Sequence, residues 1–162
     1  MGLFDLFKKR KVIYDDFFGR MQLTEAGNDN HKILYGKAYF SPTNSVTEYF
    51  MQTTDGRPSE EQRQFYSDLQ VNFKLYSNRI APLVETCMKQ NDPGFVINEF
   101  IKEFQLISLT IPESIYSQNW SMVVIHRFLG DQPLAIDFLS HEPVSVNFEK
   151  GPSIGRKMIQ QK

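Results

Sequence analysis

Along most of this chain, apolar and polar residues alternate with a period of two. In residues 32–40, Ile33, Tyr35 and Tyr39 fall on one side, and Leu34, Ala38 and Phe40 on the other. Residues 45–53 likewise set Val46, Glu48 and Phe50 against Thr47, Tyr49 and Met51. Side chains that project to opposite faces in turn are the mark of a β-strand. Residues 12–23 read as a further strand-like run, bent or bulged at Gly19. Gly27-Asn28-Asp29-Asn30 and Ser41-Pro42-Thr43-Asn44 supply turns between these segments. The first third of the chain therefore predicts a three-stranded antiparallel meander.

The period then changes. Asp55-Gly56-Arg57-Pro58 closes the meander, and Ser59 followed by Gln62 has the form of a capping box. Glu60 and Glu61 suit the positive end of a helix dipole. Tyr66, Leu69, Phe73, Tyr76, Ile80, Leu83 and Cys87 recur at alternating spacings of three and four, the stripe of one long helix. Pro82 cannot donate to the carbonyl of Asn78, which predicts a kink in the last third. Asn91-Asp92-Pro93-Gly94 stops the helix. Asp92 as cap, with Pro93 at the first position, favours a short helix over residues 95–101. Alternation returns in residues 107–111, 120–127, 134–138 and 144–149, which read as four more strands on short connections. The sequence thus predicts one α+β domain over residues 12–149. Its antiparallel sheet has about seven strands (three, then the long helix, then four), with the helix packed on one face.

Composition agrees with a single folded domain. The chain has 162 residues, 41% of them apolar, and its 14 Phe and 7 Tyr can build a core without metal or disulfide. A disordered chain is excluded. Cys87 is the sole cysteine, so neither an intrachain disulfide nor a cysteine-based zinc site can form. No run of 18 apolar residues is present, and the basic residues 8–11 follow the apolar ones where a signal peptide would have them first. A cytoplasmic location is the expectation.

Charge is distributed unevenly. Residues 1–11 form a basic N-terminal tail of +3 and residues 150–162 a basic C-terminal tail of +4. With a net charge of −1 overall, residues 12–149 are left at −8. From Glu103 to Glu149, six carboxylates (Glu103, Glu113, Asp131, Asp137, Glu142, Glu149) face a single cation, Arg127. Charged outward faces keep sheet edges apart. They can also steer and dock a basic protein, for which Asp131, Asp137, Glu142 and Glu149 are the candidate contacts. Nucleic acid is not an expected partner, because the domain carries the sign of phosphate itself. Leu3, Phe4, Leu6 and Phe7 share a helical face ahead of four cations, so residues 1–11 could touch an anionic membrane surface or cover an edge of their own domain.

Catalytic chemistry finds little purchase. Cys87 lies on the apolar stripe, where an inert thiol is the ordinary outcome. His31, His126 and His141 belong to no nucleophile motif, and a metal site from His126 and His141 would require two distant strands to bring them together. Asp15 and Asp16 are adjacent in a strand-like stretch and point to opposite faces. Gly151-Pro152-Ser153-Ile154-Gly155 lacks the Lys-Ser/Thr of a phosphate loop. No catalytic, cofactor or metal residue is nominated.

Phe17-Phe18-Gly19-Arg20-Met21, followed by Pro58-Ser59-Glu60-Glu61-Gln62-Arg63-Gln64-Phe65-Tyr66, resembles a family of small bacterial α+β domains of uncharacterised function. In these, an F-G-x-M strand precedes a G-P-[ST]-x-E-Q helix start; here Arg57 stands where the pattern has glycine. Domains of this type occur among immunity proteins of bacterial toxin systems. The resemblance implies a partner-binding role; taken with the acidic charge of residues 12–149, the expectation is a non-enzymatic inhibitor that neutralises a basic toxin by occlusion. The rival expectations are a peripheral membrane adaptor held by residues 1–11, and an enzyme whose site is assembled from distant residues.

Overall fold

A computed structural model describes residues 11–25, 32–114, 119–129 and 132–149. They form an α+β structure: eight strands in one sheet, in sequence order, with three helices between the fourth and fifth. The strands are β1 Lys11–Asp15, β2 Gly19–Glu25, β3 Lys32–Phe40, β4 Ser45–Thr53, β5 Phe104–Ile111, β6 Asn119–His126, β7 Leu134–Leu139 and β8 Glu142–Phe148. The helices are α1 Glu60–Val71, α2 Phe73–Met88 and α3 Phe100–Glu103.

The sheet departs from expectation in two ways. Residues 12–23 form two strands, because the chain reverses at Asp16–Phe18. There Asp15 Oδ1 accepts from the N–H groups of Phe17 (2.9 Å) and Phe18 (3.0 Å). Gly19, at φ +72°, supplies the left-handed residue that closes such a hairpin. This reversal adds the eighth strand. The second departure is direction: every neighbouring pair is antiparallel except β4 and β5, which run parallel from Glu48↔Ser108 to Met51↔Ile111. Two parallel neighbours need a crossover, and the helical segment is that crossover.

The long helix is also divided. The capping box at Ser59 and Gln62 forms as the sequence implies. The chain then breaks at Asn72, whose side chain bonds to Asp68 (2.6 Å), while α2 runs on through Pro82. Leu83 is 39% exposed, and Val84 is buried in its place beside Ile80 and Cys87. Seven residues fall short of two full turns, so a strict seven-residue stripe drifts off the buried face. Asp92 caps a turn at Gly94 (3.0 Å) in place of a helix, and α3 starts only at Phe100.

Helices cover one face of the sheet, and the core lies between. Trp120, Tyr49, Phe40, Phe73, Phe104 and Phe138 are fully buried there. Phe73 meets Phe40 edge-on at 4.9 Å, and Trp120 stacks on Phe138 at 3.9 Å. Each such ring contributes about 1.5–3 kcal/mol through burial alone. A bulge at Ile107 on β5 shifts the alternation, so that Leu106 and Leu109 both face the core.

Polar ties fasten the crossover to the parallel seam. Gln62 is buried at the start of α1; its Oε1 accepts from Ser59 N (2.9 Å), and its Nε2 donates to Gln52 O (2.7 Å) and Pro112 O (3.1 Å). Those two carbonyls end β4 and β5. At the other end of the seam, Ser45 and Thr47 both donate hydroxyls to Leu106 O (3.1 and 3.0 Å). Where the backbone ladder stops, side chains take over its acceptor.

Tyr49 determines the residue beside it. Its ring lies across Gly36 on β3, and its hydroxyl donates to Phe18 O (2.9 Å). A Cβ on Gly36 would stand 2.1 Å from that hydroxyl oxygen. Gly36→Ala should therefore cost about 3 kcal/mol in urea unfolding, through forced displacement and a lost buried bond. In a Tyr49→Leu background the same substitution should be close to neutral, and an undiminished cost there would refute the clash. Gln62→Glu, which turns an oxygen towards two carbonyls, should cost about 3 kcal/mol or more by the same assay.

Candidate functional site

A groove of about 530 Å³ opens between α1 and the turn joining β7 to β8, lined by Glu61, Gln64, Phe65, Asp68, Val71 and His141. Helical geometry accounts for the α1 wall, since residues 61, 64, 65 and 68 recur at three- and four-residue spacing on one side. Phe65 is buried at the base, its ring meeting Trp120 edge-on at 4.9 Å. Val71 is 82% exposed at the far end. Two carboxylates, Glu61 and Asp68, thus stand beside an apolar floor.

The opposite wall is held by α2. Ser140 takes a left-handed backbone, φ 55°, and its carbonyl accepts from Trp120 Nε1. Tyr76 Oη bonds to His141 Nδ1 (2.8 Å), and Arg79 donates to His141 O (3.2 Å). Arg79 also pairs with Glu142 (3.2 Å), next to the groove. Burial pushes the Tyr76 hydroxyl above its ordinary pKa, with the charge of Asp68 adding to the rise and that of Arg79 opposing it. Tyr76 is therefore a neutral phenol under physiological conditions and can donate to the imidazole. The arrangement offers hydrogen-bond acceptors and negative charge to a cation that carries an apolar stem.

A second cleft, of about 790 Å³, lies beside β1 and the start of α1. Its lining mixes Lys11, Lys32, Arg57 and Arg63 with Asp15, Asp16 and Asp55. Arg63 pairs with Asp15 at 2.7 Å and with Glu60 at 3.4 Å. Burial would raise the Asp15 carboxyl, but the bond from Arg63, the two backbone N–H donors and the Arg63 charge hold it below the usual value. Its four cations outnumber its three carboxylates, and the Arg63–Asp15 pair within it braces the first hairpin against α1.

The residues nominated from sequence are dispersed. Asp137 points away from the helices and accepts from Ser145 Oγ (2.7 Å). Glu142 is the one held beside the groove. Glu149 follows β8, with its N–H bonded to Pro133 O (2.8 Å). Asp131 lies outside the described residues, as do His31, residues 1–10 and residues 150–162. Glu61 and Asp68 were read only as helix residues; their position opposite His141 depends on a contact between α1 and a turn about 75 residues later, which no local pattern encodes.

Cys87 is buried, and that burial raises its thiol pKa although a backbone bond from Phe148 opposes the rise. His126 and His141 stand at opposite ends of the β6–β7 pair. His126 Nδ1 accepts from the N–H groups of Phe128 (3.2 Å) and Leu129 (3.1 Å), and its Nε2 lies 3.8 Å from Glu103. Among the described residues, no three His, Cys, Asp or Glu side chains are grouped to hold a metal ion. No described helix is long and apolar enough to cross a membrane. Comparison with protein-family models, curated proteins and solved structures gives no match in any of the three.

The Asp15 brace has a pH signature. A carboxyl whose folded pKa is depressed contributes stability that is complete above its unfolded value and lost as pH falls through the folded one. Asp15→Ala should cost about 2 kcal/mol near neutral pH, from lost charge-assisted bonds and the lost turn acceptor. The gap between variant and wild type should shrink below about pH 4. Urea titrations across that range check this, and a gap independent of pH would exclude the ionised pair as its source.

Proposed function

We propose that this domain is a non-enzymatic protein-binding module of the immunity type, which neutralises a basic partner such as a toxin by covering its working surface. The groove between α1 and the β7–β8 turn receives a lysine or arginine of that partner. The observation that carries the reading is the pairing, in one groove, of Glu61 and Asp68 with the buried ring of Phe65. A long cationic side chain buries its stem on the ring and keeps its charged head among the carboxylates. Glu142, beside His141, extends the same negative rim.

The surrounding charge supports the reading. Residues 12–149 carry −8, which accelerates encounter with a cationic protein at low salt. The groove walls are secured from behind by Tyr76, Arg79 and Trp120, so the site is formed before the partner arrives. A preformed site avoids the ordering cost of binding.

The test is affinity capture from the native host with the wild-type chain and an Asp68→Lys/Glu142→Lys variant. Wild type should retain a basic protein whose toxicity it suppresses on co-expression, with binding that weakens as salt rises. The charge-reversed variant should bind that protein about 100-fold more weakly. Equal retention by both forms would remove the groove from the mechanism, and a captured protein with no toxicity to suppress would remove the immunity role.

A further inference from the structure

The sheet has a second face, opposite the helices, across which no described helix lies. Tyr14, Tyr39, Val46, Phe50, Ile125 and Leu139 share it by register. Tyr14 is 79% exposed, Val46 61% and Leu139 55%, whereas Val123 and Ala135 near the middle are already buried. Eight strands give seven spacings, which at about 4.8 Å each make a face roughly 34 Å across. With strands overlapping over about 20 Å, its projected area approaches 700 Å². That is the scale of one side of a stable protein interface, about 800 Å². Polar side chains, among them Gln22, Gln52, Thr110, Ser121 and Asn147, stand between the apolar ones by the same register.

Charge on this face is sparse and balanced, unlike the acidity of the domain as a whole. Lys37 pairs with Glu48 at 3.0 Å. Arg20, on β2, has no ionic partner among the described residues. Asp137, on β7, bonds to Ser145 and has no cation beside it among the described residues. Arg20 stands at the level of the Lys37–Glu48 pair. Asp137 stands level with Ser121, Thr110 and Phe50, two residues or roughly 7 Å further along the strands.

We propose that this face is the interface of a homodimer, in which two copies pack sheet on sheet about a twofold axis running along the strands. Such an axis lays β1 over β8, β2 over β7, β3 over β6, and β4 over β5 of the second copy. Arg20 of each copy then stands on the strand facing the other copy's Asp137, offset by about 7 Å along the strands, a span its long side chain can lean across to pair the two charges twice. Isologous packing of this kind demands a self-complementary surface, and these two residues on mirrored strands provide it. Sheets packed face to face interdigitate side chains in the manner of a β-sandwich core. The helix-side groove remains outside the interface, so the dimer presents two grooves on its outer surfaces.

Sedimentation equilibrium of the full-length chain tests the proposal. Wild type should be dimeric at micromolar concentration. Val46→Asp, at an exposed position, should raise the dissociation constant about 100-fold while leaving the thermal melt of the monomer intact. Arg20→Asp alone should weaken the dimer about tenfold, and Arg20→Asp with Asp137→Arg should restore it. A monomeric wild type would overturn the proposal, as would a dimer indifferent to Val46→Asp. So would a monomer that binds anionic lipid vesicles and loses that binding in Val46→Asp. Failure here leaves the groove untouched, because capture of a basic partner is read from Asp68 and Glu142 on the other side.

Discussion

Strands β4 and β5 run side by side in the same direction, and no tight turn can join them. Everything between Thr54 and Glu103 exists, structurally, to carry the chain back across the sheet so that this seam can form. The seam is not held by its backbone ladder alone. At one end the Gln62 amide spans both strands while its oxygen completes the cap of α1. At the other, the hydroxyls of Ser45 and Thr47 serve the Leu106 carbonyl. A single buried amide thus sets where α1 begins relative to the sheet, and the groove wall of Glu61, Phe65 and Asp68 follows from that placement.

The two sides of α1 are consequently used in different ways. Towards β1, its Arg63 is spent on Asp15, and the first hairpin is braced against the helix. Towards the β7–β8 turn, Glu61 accepts from Ser114 Oγ (3.3 Å) and Asp68 from Asn72 Nδ2 (2.6 Å), while Arg79 turns to Glu142 and the His141 carbonyl. The same helix therefore sets an arginine–carboxylate pair on one side and the groove-lining Glu61 and Asp68 on the other. That division, more than net charge, is what the proposed reading of the groove as a receptor for a cation draws on.

Local chemistry made much of the fold legible. Alternation located seven of the eight strands, and Ser59 with Gln62 marked the start of α1 to the residue. What failed did so for identifiable reasons. The hairpin at Asp16–Phe18 was concealed because its turn contains two phenylalanines, and only Asp15 and Gly19 carry the turn chemistry. The direction of β5 is decided by the path of the helices, which periodicity does not report. The groove was legible only in part: Glu142 was read as a docking carboxylate, whereas Glu61 and Asp68 looked like ordinary helix-surface residues until the β7–β8 turn was set opposite them. Asp137 was grouped with Glu142 by sequence proximity, yet the alternation of a strand turns it to the other face.

The seam also bears on how the molecule reaches its native state. Six of the seven strand pairings close connections of two to seven residues, and such hairpins form in microseconds. The β4–β5 ties join positions about sixty residues apart, as between Thr47 and Leu106 or Ser45 and Leu106. Loop-closure entropy falls most heavily on that pairing, and no native contact compensates it until the helices are in place. Each four-stranded half can fluctuate early as a separate meander, but cooperativity arrives only when the halves dock. Until then the inner edges of β4 and β5 are bare, and the unfinished chain is most open to joining a stranger there.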